Sequence, residues 1–286
     1  MKKEITLLAI SMFVATGINA QQELTVTHTT AGAMEAEINA ALGTTGAEEI
    51  QTLIINGDAN VTYEDCSAIA AKFPTISLKK LDLGTAKFEN DSTPGNKEGA
   101  STGAFDIKGN GMQVEEVVLP AGLKVIGPRT FRKFSKMKKI NLPNTLVKLG
   151  EGCFTGCGSL DLEKLPEGLK TIEGYVFYQA YAMKSLEELP AGLEGVLGAL
   201  SFAQTSVAIS YIPEGITEIG SSAFNANTRP VSLTSLTMYE KLAKIGSNAF
   251  KNQKMLNDIE LRCGHRLGPL GRGPLVLSLD QRGGHC

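Results

Sequence analysis

The sequence predicts an α/β repeat, a right-handed solenoid of short parallel strands behind an N-terminal α/β cap region. Three observations predict it. Proline recurs at 120, 143, 166, 190 and 213, in steps of 23, 23, 24 and 23 residues. Phenylalanine recurs at 131, 154, 177, 202, 224 and 250, in steps of 23, 23, 25, 22 and 26. Between them stands an apolar pair spaced Leu-x-x-Ile, as at Leu123 and Ile126 or Ile216 and Ile219. A fixed period of this length marks units that cannot bury their own apolar face, so neighbours must stack to make a core.

Each element of the unit follows from its residue types. Two or three apolar residues before each Pro make a very short strand. Pro ends the strand, because it has no N–H for the ladder. The Gly two residues after Pro, as at Gly122, Gly168, Gly192 and Gly215, allows the turn. The Leu-x-x-Ile pair points inward and Phe closes the coil. The last full copy is Leu242, Ile245-Gly246 and Phe250, with Tyr239 where Pro would stand. An earlier, degenerate copy ends at Phe105.

These motifs resemble the leucine-rich repeats of the BspA type, found on surface proteins of Bacteroidetes and some other microbes. Ile216-Thr217-Glu218-Ile219-Gly220-Ser221-Ser222-Ala223-Phe224 matches that unit closely, as does Lys244-Ile245-Gly246-Ser247-Asn248-Ala249-Phe250. The resemblance covers about residues 114–260. It departs at Glu173, where Gly is expected, at Gly195 to Phe202, where one residue is inserted, and at Tyr239. It implies a leucine-rich repeat solenoid that attaches to host extracellular proteins or to other bacteria.

The chain divides into four stretches. Residues 1–20 carry Met1-Lys2-Lys3, an apolar run from Ile5 to Val14 and small residues up to Ala20, the pattern of a secretory signal peptide. Residues 21–110 are the N-terminal cap and degenerate first repeat. Here Leu24 to Thr27 alternates as a strand, and Met34, Ile38 and Leu42 share one helix face. Leu53 to Gly57 is a strand and turn. Glu64 to Phe73 is a helix stopped by Pro74. Leu78 to Leu83 is a repeat-type strand, and residues 89–103 form an exposed loop. Residues 111–261 hold about six repeats. Residues 262–286 are an atypical Gly/Arg-rich tail, frameshifted or disordered. They hold six Gly, four of the seven Arg and none of the 21 Lys. Asn257 to Leu261 starts a seventh coil that is not completed.

Composition excludes several functions. Lys and Arg number 28 against 30 Asp and Glu, which gives no electrostatic argument for nucleic acid. There is no Trp, so a sugar platform of indole rings is excluded. No later apolar run is long enough to span a membrane, so no membrane insertion is expected after leader cleavage.

Candidate chemistry is sparse. Cys153 and Cys157 are four apart, but they occupy slots that are small or polar in other copies, so packing explains them better than a metal. Cys66 lies in the cap helix and is expected to be buried. His265 and His285 with Cys263 and Cys286 match no firm zinc spacing. No nucleophile elbow, phosphate-binding Gly loop or His-Glu-x-x-His helix occurs. Glu115-Glu116 and Glu187-Glu188 are adjacent, so a strand points them to opposite faces and makes no acid/base pair. No cofactor, metal or catalytic residue is expected.

What remains is a surface. The residue two before each Pro faces outward from the strand: Val118, Asn141, Lys164, Glu188 and Tyr211, with Thr237 in the equivalent last slot. This mixed column is the expected binding face for an extracellular protein or glycan. The chain is expected to be exported, to the cell surface, the medium or the periplasm, as a non-catalytic binding or adhesion protein. The alternatives are a structural or accessory periplasmic or outer-membrane module, and a truncated gene remnant.

Overall fold

A computed structural model describes residues 22–73, 77–97, 101–107, 109–227, 233–262 and 275–276. The expected leader and nearly all of the expected tail lie outside the described residues.

The cap consists of β1 (Gln22–His28), α1 (Met34–Leu42), β2 (Ile50–Gly57), α2 (Tyr63–Lys72) and β3 (Lys80–Asp82). Period-two alternation in β1 turns Leu24, Val26 and His28 inward. Helix α1 buries Met34, Ile38 and Leu42, each one turn from the last. Helix α2 starts in a capping box. Asp65 N donates to the Thr62 hydroxyl, and the Asp65 carboxylate accepts from Thr62 N. Pro74 disfavours a helical Phe73 and so ends the helix.

Ten short strands follow in the repeats, after a two-residue hairpin of β4 (Asp106–Ile107) and β5 (Asn110–Gly111). They are β6 (Glu116–Val118), β7 (Val125–Ile126), β8 (Lys139–Ile140), β9 (Lys148–Leu149), β10 (Thr171–Ile172), β11 (Glu194–Leu197), β12 (Gly215–Ile219), β13 (Ser235–Tyr239), β14 (Lys244–Ile245) and β15 (Asp258–Arg262). A further strand, β16 (Leu275–Val276), pairs antiparallel with β15.

Two parallel ladders run along the coils. The first joins β1, β2, β3, β6 and β8 in that order, so cap and repeats share one sheet. It reappears at the far end as β13 beside β15, which makes Asn257 to Leu261 the first rung of a further coil. The second ladder uses the Leu-x-x-Ile segments, as β7-β9-β10 and then β11-β12-β14. Its inward side chains Ile126, Leu149, Ile172, Leu197 and Ile219 are all at most 1% exposed.

A third feature is the aromatic column. Phe105, Phe131, Phe154, Phe177, Phe202, Phe224 and Phe250 stack in series, with centroids 5.3–5.9 Å apart and planes within 29°. Each inner ring contributes apolar burial and a stacked contact to both neighbours. Phe250 is the last ring and is only partly buried.

The structure corrects two local expectations. The Gly two residues after Pro is not needed for a left-handed turn, since none of Gly122, Gly168, Gly192 and Gly215 has a positive φ. Close approach between coils is what some of them meet, as at Gly168 and Gly215, and it recurs at the glycine after the inward Ile or Leu. A Cβ on Gly150 would stand 2.8 Å from the Ile126 carbonyl oxygen, and one on Gly220 would collide with the Ala199 backbone. The segment 89–103 is also not uniformly exposed. Ser92 bridges to Val125, and Thr93 is buried, its hydroxyl accepting from Gly127 N at 2.9 Å. This segment therefore supplies the first rung of the second ladder.

Candidate binding face

The first ladder is closed at both ends and open in the middle, and the spacing of its inward residues follows the pattern. Where β6, β8 and β13 form, they lie two apart, as Val117 and Leu119, Ile140 and Leu142, and Leu236 and Met238. In the intervening copies they lie three apart, as Leu162 and Leu165, Leu186 and Leu189, and Ile209 and Ile212. A spacing of three breaks the period-two alternation of a strand. Glu163 and Glu187 fall between these residues and turn to solvent, and no strand forms at either. At Ser210 only a single bridge survives, between Tyr211 and Thr237.

Side chains replace part of the lost ladder. The Asp161 carboxylate accepts from Lys184 N and Ser185 N, both at 2.9 Å, and from the Ser185 hydroxyl at 2.8 Å. Burial pushes the Asp161 carboxyl up, but these hydrogen bonds outweigh it and hold it below the usual range.

Where the ladder opens, a shallow groove of about 690 Å³ lies between the β6–β8 sheet and the next coil. Val117, Ile140 and Leu162 line it with apolar surface. Lys139, Asp161 and Glu163 give it charges of both signs. A smaller groove of about 200 Å³ continues past Leu142 and Lys164.

The expected face residues fall along this ladder. Val118 and Asn141 line the main groove, and Lys164 lines the smaller one. Lys164 and Glu188 are exposed, beyond the closed part of the sheet. Tyr211 and Thr237 pair through the bridge. Two members are also bound to the scaffold. The Asn141 amide accepts from Leu119 N at 2.6 Å and donates to Leu119 O at 2.9 Å. The Tyr211 hydroxyl donates to Leu189 O at 2.7 Å.

The cysteines are core residues. Cys66, Cys153 and Cys157 are buried free thiols, and burial pushes all three well above the usual thiol range. The Cys157 thiol donates to Phe131 O at 3.2 Å, tying one coil to the one before. Glu187 and Glu188, expected on opposite faces of a strand, are both exposed and lie in no strand. The doublet Glu115-Glu116 binds Lys79, Lys138 and Lys80 instead of forming a pair. Among the described residues, no group of His, Cys, Asp and Glu could hold a metal ion, and no helix is long and apolar enough to cross a membrane.

One polar cluster was missed by sequence reasoning. His28 is buried between α1 and α2. Its Nδ1 lies 2.6 Å from Glu37 Oε2, and its Nε2 lies 3.2 Å from Asn60 O and 3.3 Å from Asp65 Oδ2. The Asp65 carboxylate also accepts from Gly32 N, Met34 N, Thr62 N and the Thr62 hydroxyl. Burial pushes Asp65 and Glu37 up, but these hydrogen bonds win and hold both carboxyls below their usual range. The available sequence signal was the spacing Thr62-x-x-Asp65. The cluster ties β1, α1 and α2 together and so locks the cap.

No curated protein matches the chain. A leucine-rich repeat protein from Bacteroides ovatus, known from a crystal structure, is 24% identical with a TM-score of 0.49. The match covers 75% of this chain and 53% of that one. The model of the BspA type leucine-rich repeat region matches in six copies over residues 109–230 and 196–266, more than half of the chain. The chain belongs to the BspA-type leucine-rich repeat family.

Proposed function

We propose that the chain is an exported, non-catalytic binding or adhesion protein. Its docking face is the outer side of the first ladder: Val118, Asn141, Lys164, Glu188, Tyr211 and Thr237. Its partner is an extracellular protein or a glycan on a host surface or another cell. Family membership supports a repeat-based interaction module. The observation that carries the finer reading is the open stretch of that ladder. There the core geometry is continuous, yet Ile140 and Leu162 line a groove rimmed by both charge signs. Solenoids bind partners on such extended faces.

The test is retention of the full chain on immobilised matrix proteins, mucins and partner cells. Retention is expected, and the double charge reversal Lys164→Glu/Glu188→Lys is expected to weaken it. Failure on every surface removes the reading. A second reading, a structural or accessory module without a host ligand, draws on Asn141 and Tyr211, whose side chains already serve the scaffold. Purely periplasmic fractionation with co-purifying partners favours that module.

A further inference from the structure

A second surface lies on the turn side of the coils, away from the strand ladder. Three of the six tyrosines of the chain fall within seven residues: Tyr175, Tyr178 and Tyr181. They belong to one coil, whose ring in the aromatic column is Phe177. Tyr175 is 41% exposed and Tyr181 39%. Tyr175 and Tyr178 stand perpendicular, 87° between planes and 5.9 Å between centroids. The ring of Tyr181 lies against Gly158 of the preceding coil, where a Cβ would be 3.5 Å from its Cδ2.

Neither stacking nor turn geometry requires these rings. The slots of Tyr175, Tyr178 and Tyr181 hold Gly152, Thr155 and Gly158 one coil earlier. Tyr175 has φ +60, a left-handed conformation that a bulky side chain adopts at a cost in strain. In the last coil the same slot holds Asn248, a residue suited to that conformation.

We propose that Tyr175, Tyr178 and Tyr181 form a binding site for a neutral carbohydrate. The size of the patch selects this partner. Tyrosine rings bury about 150–250 Å² each when fully covered. At the observed exposures the trio offers on the order of 200 Å², against about 800 Å² per partner in a standard protein interface. The site is one coil wide, the scale of one or two sugar rings. Rigid aromatic faces suit the C–H side of a pyranose and give contact area at low entropy cost. Sugar hydroxyls would meet the Tyr178 hydroxyl, which accepts from Gln204 Nε2 at 3.3 Å, and the Gln204 amide beside it. These polar groups are uncharged, so they suit a neutral sugar and not an acidic one.

The site is separate from the strand face and stands or falls without it. The test uses the full chain on immobilised neutral oligosaccharides ending in galactose, glucose, mannose or N-acetylhexosamine. It also uses gastric mucin before and after periodate oxidation. The variant Tyr175→Asn/Tyr178→Thr/Tyr181→Ser carries residues that other coils already place in these slots, at Asn248, Thr155 and Ser206. The parent chain is expected to bind at least one oligosaccharide and intact mucin, to lose mucin after periodate, and to bind about tenfold more weakly with the triple substitution. If the triple variant does not fold, Tyr181→Ser alone is expected to weaken binding about threefold. Three results overturn the proposal: no retention on any of these probes, mucin retention that survives periodate, or affinity unchanged in a folded variant. The strand-face reversal Lys164→Glu/Glu188→Lys is expected to leave oligosaccharide binding intact.

Discussion

The aromatic column and the first strand ladder run the same length with the same period, yet only the column is continuous. Seven rings stack from Phe105 to Phe250 without a gap. The ladder closes through the cap to β8, opens over two coils, and closes again at β13. The column needs only one large apolar ring per coil, and every copy supplies it. A rung needs inward residues two apart, and the three-residue spacings Leu162 to Leu165, Leu186 to Leu189 and Ile209 to Ile212 break that alternation. The fold therefore tolerates polar residues on the ladder because the column and the second ladder carry the stacking. The open rungs become usable surface.

The largest expected effect is on the column. Phe177→Ala in its middle should cost about 3–5 kcal/mol, measured by denaturant unfolding. Phe250→Ala should cost clearly less, because that ring stacks on one side only. Equal costs would mean that the column does not act as a stack.

The closed end of the ladder depends on the cap. Asp65→Ala leaves His28 and three backbone N–H groups without their acceptor, an expected loss of about 2–3 kcal/mol. Asp65 and Glu37 have lowered carboxyl values in the folded chain. Their contribution is complete above the ordinary carboxylate range, near pH 4–4.5, and is lost as pH falls through the lower folded-state values. A pH titration of stability should show this acid loss in the parent and a smaller one in Asp65→Ala.

Close approach between coils gives the next effect. Gly220→Ala forces a Cβ into the Ala199 backbone and should cost about 1–3 kcal/mol. Gly122→Ala, with nothing within 4 Å, should be nearly neutral in the same measurement. The smallest effect concerns the last coil. Ile245 is 49% exposed, whereas its counterparts Ile126 and Ile219 are buried. Ile245→Thr should change stability by less than about 1 kcal/mol, while Ile219→Thr should cost several times more.

Much of this was legible in the sequence. The spacing of Pro, Phe and Leu-x-x-Ile specified the coil, because those residues act within one repeat. The helices followed from Met34, Ile38 and Leu42 and from Pro74. The polar lock of the cap was not legible. Its carboxylate and imidazole come from three elements that only the fold brings together. Nor did the sequence show that Thr93 enters the core, since a polar loop residue pairs there with another coil. The open rungs were readable in principle from the three-residue spacing of Leu162 and Leu165 and of Leu186 and Leu189. The doublet Glu187-Glu188 suggested alternation within a strand, but both glutamates lie between buried Leu186 and Leu189 and face solvent together. The tyrosine site was hidden for another reason: its residues occupy variable slots, outside the repeated pattern.

Amide hydrogen exchange on the intact chain tests the central contrast most directly. The amides of residues 161–165 donate to no backbone carbonyl of a neighbouring coil, although the rings of Phe154 and Phe177 stack on either side. Fast exchange is expected at Leu162 to Lys164, slow exchange at Val117 and Lys139, whose amides face paired strands, and slow exchange at Phe154 and Phe177. Protection at Leu162 to Lys164 equal to that at Val117 would mean that the ladder is closed throughout, and would contradict the account.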